Sequence, residues 1–387
     1  MRIILPGTGK ELLRGELADA FAGAGCRVIQ EAPDVLHHPS HPRRLAELLD
    51  GSSTLVFSVN FQGLNPLKPV LELLQQTGGT AAVWCVDNPW NLLAGVRDPR
   101  WKTLPLFVTD ESFIPPLREH GAERVFHLPL AASPALFGPN PARDARFPAP
   151  NDLAPFVFVG RSQFPGKEMF FAGQTVPETL LQEAESMLMQ GMRPDLLWWE
   201  QKFACAPGSF WPGKKARGPA LGAEEANLLW RSVCLQAAAN GAAGATASGG
   251  AGLDVFGDAG WCSLLPEGAI LRPPVDYYAR LPGIYAKARF SLCLTSLQLP
   301  HGLNQRHFDV WTAGGLCLSD ATPGLRLFPE ELTRPIIFSH PAAIPSVAER
   351  ADERRAELTA GWRQHIAEHH TYAHRAATVL EAVAALQ

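Results

Sequence analysis

The chain has 387 residues, 46% of them apolar and 19% charged, which excludes a disordered, collagen-like or coiled-coil protein and predicts roughly two to three domains. Lys and Arg number 34 against 38 Asp and Glu, so the net charge is −4 and there is no basic field to hold a nucleic-acid backbone. The seven cysteines form no C-x-x-C and sit mostly in apolar runs, and no apolar run reaches the length of a spanning helix; we expect reduced core thiols and a cytoplasmic protein without a transmembrane segment.

In chain order, short apolar runs at Ile3–Leu5, Arg27–Ile29, Thr54–Val59, Ala81–Val86, Leu106–Thr109 and Val125–Leu128 read as strands. Helical spacing at Glu11–Ala24, Arg43–Leu49, Pro66–Gln76 and Ser112–His120 lies between them, which is a βαβα pattern and implies a parallel sheet covered on both faces. The five prolines of Pro134–Pro150 suit a linker, so residues 1–150 are expected to form an N-terminal Rossmann-like domain. A second α/β half, 151–341, opens with Pro155–Val159 and continues with strand-like runs at Leu253–Phe256, Ile270–Arg272, Arg289–Thr295 and Leu316–Ser319. The long interval before its second strand predicts a helical insert over about 165–240, with helices at Val176–Met192 and Ala223–Ala239. Residues 237–252 contain 13 Gly or Ala among 16 and read as a flexible connector, and 342–387 as a C-terminal helical segment, one long helix packing back across the domains.

The stretch Leu299–Asp320 carries the most chemistry. A Pro- and Gly-containing loop enters a helix near Gln305, the helix stops at Gly314-Gly315, and a buried strand follows. Free N–H groups at such a helix start favour an anion, and Arg306 beside Asn304 adds a fixed charge of bidentate geometry, so a diphosphate would fit. Asp309, one turn on, could accept from a ribose diol and Asp320 could close the pocket; alternatively Arg306 and Asp309 form a local ion pair. Gly160-Arg161 with Lys167 could bring further positive charge, and Phe256-Gly257 could let a base ring approach the backbone; surface turns would explain both equally.

In the first half, ligands are expected at the carboxyl ends of parallel strands, which selects Gly7 and Gly9, Asn60, Asp87 and Asp110 for the acceptor side. Asp87 is the candidate general base, with an N-cap as its other reading. Gly7-Thr8-Gly9 also admits an NAD(P)-dependent oxidoreductase with Glu31 on the ribose, although Leu12 stands where that fingerprint needs a small residue. Trp198-Trp199 is either core or a stacking surface for an acceptor. His37, His38 and His41, and the pairs His365/His369 and His370/His374, lack the partners that would complete a metal site, and no D-x-D triplet exists.

Phe256–Trp261, Val275–Tyr278 with Leu281–Tyr285, and Gly302–Arg306 through Phe308-Asp309 to Gly314-Gly315 together resemble the C-terminal half of GT-B glycosyltransferases of the CgeB spore-maturation type. Trp84–Pro89, Phe107–Glu111 and His370–Arg375 are similar to further parts of that family. The resemblance implies two Rossmann-like domains facing a cleft and a metal-independent transferase without a cofactor. The C-terminal half would bind a nucleotide sugar and the N-terminal half a glycan, lipid-linked or protein acceptor. Arg306 would contact phosphate and stabilise the departing group, and Asp309 the ribose, where relatives carry Glu. The second acid of a wider E-x7-E pattern is Cys317 here, which also admits a non-catalytic assembly protein of the same fold.

Overall fold

The structure, a computed structural model, describes residues 1–7, 12–31, 48–49, 53–64, 67–96, 98–203, 214–242 and 251–386. The chain divides into two compact units, one of Met1–Leu130 with the C-terminal Thr371–Gln387, the other of Ala131–Ala204 with Arg217–His370.

The first unit is built on a parallel sheet of β1 (Arg2–Pro6), β2 (Arg27–Glu31), β3 (Thr54–Val59), β4 (Thr80–Cys85), β5 (Pro105–Val108) and β6 (Arg124–His127), in the order β2-β1-β3-β4-β5-β6. Leu55–Phe57, Ala82–Trp84 and Leu106–Val108 are buried almost completely, which is why these strands read as continuous apolar runs rather than alternating ones. Phe57 sits at their centre, its ring 5.4 Å from Phe21 of the Arg14–Gly23 helix and 6.1 Å from Phe107. The expected helix at Arg43–Leu49 lies almost wholly outside the described residues.

The C-terminal helix Tyr372–Ala384 packs on the Arg14–Gly23 helix, so the chain does return to its first sheet. It is the last of three helices, after Ile344–Glu353 and Arg355–His369, and not part of a single long one: the backbone leaves helical geometry at Arg354 and His370. The second break allows Thr371 and His374 to form a capping box. Arg375 then donates through Nε to Pro129 O (2.8 Å) and through Nη2 to Leu130 O (2.9 Å), and Tyr372 packs edge-on against Trp84. The His370–Arg375 motif is thereby used within the fold.

The second unit holds β7 (Phe156–Val159), β8 (Leu253–Phe256), β9 (Ala269–Arg272), β10 (Phe290–Cys293), β11 (Cys317–Asp320) and β12 (Ile337–Phe338), all parallel, in the order β12-β11-β10-β7-β8-β9. Counted from its own first strand this is the doubly wound dinucleotide-type order, with the reversal of winding between β7 and β10. β12, two residues long, is too short to leave a sequence pattern. The insert between β7 and β8 contains the helices Glu178–Met189, Leu196–Lys202 and Lys214–Ala242. The last of these runs through 237–242, which we expected to be connector, because alanine is the strongest helix former; residues 243–250 lie outside the description. Pro134–Pro150, expected as a linker, contains two short helices, Pro134–Phe137 and Pro141–Arg146, each with its proline in the first turn where the missing N–H costs nothing.

Candidate functional site

Arg306 marks the junction where the second sheet reverses. Its Nη1 donates to Val159 O at the end of β7 (2.7 Å) and its Nη2 to Leu294 O just past β10 (3.3 Å), while the guanidinium lies 5.5 Å from the Phe158 ring. A doubly wound sheet opens its ligand crevice at this point, outside the carboxyl ends of the two strands that diverge. Arg306 has no carboxylate partner among the described residues, and its Nε is buried without a hydrogen bond. The ion pair with Asp309 does not form. Asp309 is buried and accepts instead from Tyr277 Oη (2.5 Å) and Gln305 Nε2 (2.9 Å).

The start of the Arg306–Ala313 helix is more closed than its sequence implies. The amides of His307, Phe308 and Asp309 already donate to the carbonyls of Asn304 and Gln305, so they are not free for an anion. Asn304 donates to Leu294 O (2.8 Å), and His307 bridges Asn304 to Ser319 Oγ (2.9 Å). Burial pulls the His307 imidazole down to about 4, which keeps it a neutral strut at physiological pH. Gly314 and Gly315 lie at the other end of this helix. Gly314 takes the left-handed conformation (φ 88°) that stops it, and Gly315 passes against Tyr285 O too closely for any Cβ; this accounts for both glycines without a ligand.

Asp320 also serves the interior. It is fully buried at the end of β11 and accepts from Thr295 N and Oγ1 (both 2.9 Å), Arg193 Nη1 (2.8 Å) and Trp230 Nε1 (2.8 Å). Cys317, where the wider acidic pattern would need a carboxylate, is the buried first residue of β11 beside Cys293, so an acid there would enter the sheet core.

The loops after β7 and β8 are packed backbone to backbone. Phe256 O accepts from Gly160 N (3.0 Å), and Trp261 Nε1 donates to Gly160 O (2.9 Å). A Cβ on Gly257 would stand 2.6 Å from Gly160 O, so close approach decides that glycine. Asp258 accepts from Ser162 N and Oγ and from Gly260 N, and these bonds hold its pKa below the usual carboxylate range against some burial. Lys167 is paired with Glu225 at 2.7 Å, whereas Arg161 is exposed and its side chain makes no hydrogen bond or ion pair among the described residues. Sequence reasoning missed a further cation here. Arg231, on the Lys214–Ala242 helix, donates to Arg161 O (3.1 Å); the only signal was one arginine in the apolar run Leu229–Cys234.

In the insert Trp199 is core and Trp198 half-buried, with Lys202 5.1 Å over its ring. Asp195 caps the Leu196–Lys202 helix, and burial together with the Asp195 charge pushes Glu200 up to about 7. A carboxyl raised in the folded state binds its proton more tightly there than in the unfolded chain. Its ionisation therefore removes stability as pH rises from 4.5 towards 7. Glu200→Gln is expected to flatten this decline; an unchanged slope in urea unfolding between those pH values would show that Glu200 does not contribute to it.

In the first unit the expected acceptor-side residues stand at strand ends but have different roles. Gly7 follows β1, and Gly9 lies outside the described residues. Asn60, just past β3, has a positive φ of 53° and is followed by Phe61 at 62°, two non-glycine residues in a strained conformation of the kind that collects at functional sites. Its Nδ2 donates to Asp87 Oδ2 (2.7 Å) and its Oδ1 accepts from Val86 N (2.9 Å). Asn88, not Asp87, caps the Pro89–Leu93 helix, so the capping reading of Asp87 falls away. Desolvation raises the Asp87 pKa, opposed by the Asn60 bond. Asp110 is buried and caps the next turn through Ser112 N (2.8 Å). Glu31 ends β2. Among the described residues no group of three His, Cys, Asp or Glu side chains could hold a metal ion; His37, His38 and His41 lie outside them.

Residues 231–381 match the family described as glycosyl transferase-like. Sucrose-phosphate synthase from Thermosynechococcus elongatus is 13% identical over 100% of this chain and 99% of its own, with a TM-score of 0.53. The fold is GT-B. Anabaena Alr3699/HepE, solved with UDP and with UDP-glucose, aligns over the whole of both chains at 9% and 8% identity, with TM-scores of 0.51 and 0.54. No curated protein matches the chain in sequence. No described helix is long and apolar enough to cross a membrane.

Proposed function

We propose that this GT-B protein, of the CgeB type, is a metal-independent cytoplasmic glycosyltransferase. It moves a sugar from a nucleotide-sugar donor, held by the second unit, to a hydroxyl of a glycan, lipid or protein. The observation that carries the reading is the β7–β10 junction. The winding reverses there, Arg306 ties the two strand ends together without a carboxylate partner, and Arg161 stands exposed on the next loop. The glycosyl transferase-like match, residues 231–381, covers β8–β12 and Arg306 though not β7 or Arg161, and the Anabaena protein of the same fold was solved with UDP and UDP-glucose.

As the glycosidic bond breaks, negative charge grows on the leaving diphosphate. Fixed guanidinium charges beside the strand ends stabilise that charge more than they stabilise the bound donor, which is the condition for acceleration. Arg306, its terminal nitrogens committed to carbonyls, acts through its charge and position; Arg161 is the cation able to bond an oxygen directly. Asp87, with its raised pKa, is the carboxylate we assign to receive the acceptor proton in an inverting reaction. The strand order argues against the nicotinamide alternative, because the dinucleotide-type order belongs to the second sheet and the Gly7 turn to the first.

Calorimetric titration with UDP, GDP, dTDP, CMP and NADH in the presence of EDTA tests the reading. One nucleoside diphosphate is expected to saturate and to bind about 1.5–3 kcal/mol more weakly to Arg161→Ala, the worth of a charge-assisted bond. NADH binding that is indifferent to Arg161 would move the ligand to the Gly7 turn and defeat the proposal.

A further inference from the structure

The Lys214–Ala242 helix contacts the loop after β7 through three side chains, Glu224 and Arg231 on one face and Glu225 next to it. Glu224 accepts from Phe164 N (2.6 Å), Glu225 pairs with Lys167 (2.7 Å), and Arg231, two turns beyond Glu224, donates through Nη1 to Arg161 O (3.1 Å). The two glutamates are spent on the loop. Arg231 is spent only in part: of the five N–H donors of a guanidinium it gives one to the loop, its Nε is buried without a partner, and no carboxylate lies within ion-pair distance among the described residues. Arg306 repeats this condition, with a buried, unpartnered Nε and no ion-paired carboxylate among the described residues.

The two arginines act on each other as like charges. Burial lowers the Arg231 pKa to about 10; Glu224 opposes it, Arg306 adds to it by a smaller amount, and Asp320 and Asp258 pull weakly the other way. A part-buried guanidinium whose carboxylates stand beyond ion-pair distance, set beside a second cation, offers charge and free donors that an anion can join. Arg161, whose carbonyl Arg231 holds and whose own side chain is exposed, adds a third positive group, and Gly160 packs closely beside Arg306: a Cβ added there would stand 2.9 Å from the Phe158 ring and 3.6 Å from Arg306 Nη1.

Building on the nucleotide-sugar reading, we infer that Arg231 is a phosphate-binding residue of the donor site, closing on the diphosphate from the helical insert while Arg161 approaches it from the end of β7. The insert then contributes to donor binding directly and is more than an addition to the scaffold.

The test uses Arg231→Gln, which keeps an amide donor for Arg161 O and removes the charge, and titrates full-length wild type and variant with inorganic pyrophosphate and with UDP. Pyrophosphate and UDP are both expected to bind about tenfold or more weakly to the variant, with Arg231→Lys recovering part of the loss. The melting temperature of Arg231→Gln should hold, because the amide keeps the bond to Arg161 O and the buried charge is removed. Wild-type pyrophosphate affinity with a lowered melting temperature would make Arg231 a strut for the loop and overturn the inference. A wild type that binds pyrophosphate but neither UDP nor another nucleoside diphosphate would defeat the nucleotide reading and leave the anion site standing. A wild type that binds neither would overturn both.

Discussion

Asp320→Ala is expected to cost about 3–5 kcal/mol of folding stability, the range for breaking a buried charge pair by removing one partner. The Asp320 carboxylate joins three elements: Thr295 after β10, Trp230 of the long insert helix, and Arg193 of the insert. Alanine at this position would leave Arg193, whose Nε and Nη2 already have no partner, as an uncompensated part-buried cation, and would orphan the amide of Thr295 and the indole N–H of Trp230. The measurement is urea unfolding with the slope held constant. A loss below about 1 kcal/mol would mean that the insert is not anchored through this carboxylate. Asp320→Asn should fall between, since an amide can keep part of the hydrogen bonding but not the charge.

Arg306→Ala is expected to slow sugar transfer about a hundred- to a thousandfold at saturating donor, the effect of removing one preorganised group that stabilises the charge of a transition state. Two losses coincide here. The positive charge at the β7–β10 junction disappears, and Val159 O and Leu294 O lose the guanidinium that ties the strand ends together. Arg306→Lys separates them, because an ammonium keeps the charge but has no planar fork to span both carbonyls. Recovery of kcat by lysine would assign the effect to charge, and recovery of stability alone would assign it to the tie. Arg306→Ala turning over donor within a few fold of wild type would move the chemistry away from this junction.

Much of the architecture was legible because strands buried on both faces must be apolar throughout. β3, for example, occupies the interval Thr54–Val59 that its apolar run predicts. The C-terminal segment was not legible in the same way. Arg354 and His370 interrupt its helices without a glycine or proline, where the chain must turn so that Trp362 can stack on Trp311 at 4.8 Å and Tyr372 can meet Trp84 at 6.5 Å. The prolines of Pro134–Pro150 show the opposite limit, since the same residue that breaks a helix interior begins a helix when it falls in the first turn.

Local sequence determined the type of the sheet strands, the parallel α/β character of both halves, and the presence of an arginine at a loop-to-helix transition, because each depends on periodicity and turn chemistry within a few residues. Tertiary structure decided which of the polar residues remain available. Asp309, Asp320, Gly315 and Lys167 all stand in or near the expected region, yet hydrogen bonds, an ion pair or close packing with residues remote in sequence already occupy them. Arg161 and Arg231, 70 residues apart, meet because the insert helix that carries Arg231 also carries Glu224 and Glu225, which hold the loop. A partner distant along the chain competes for a side chain as effectively as a ligand would, and no local pattern records that competition.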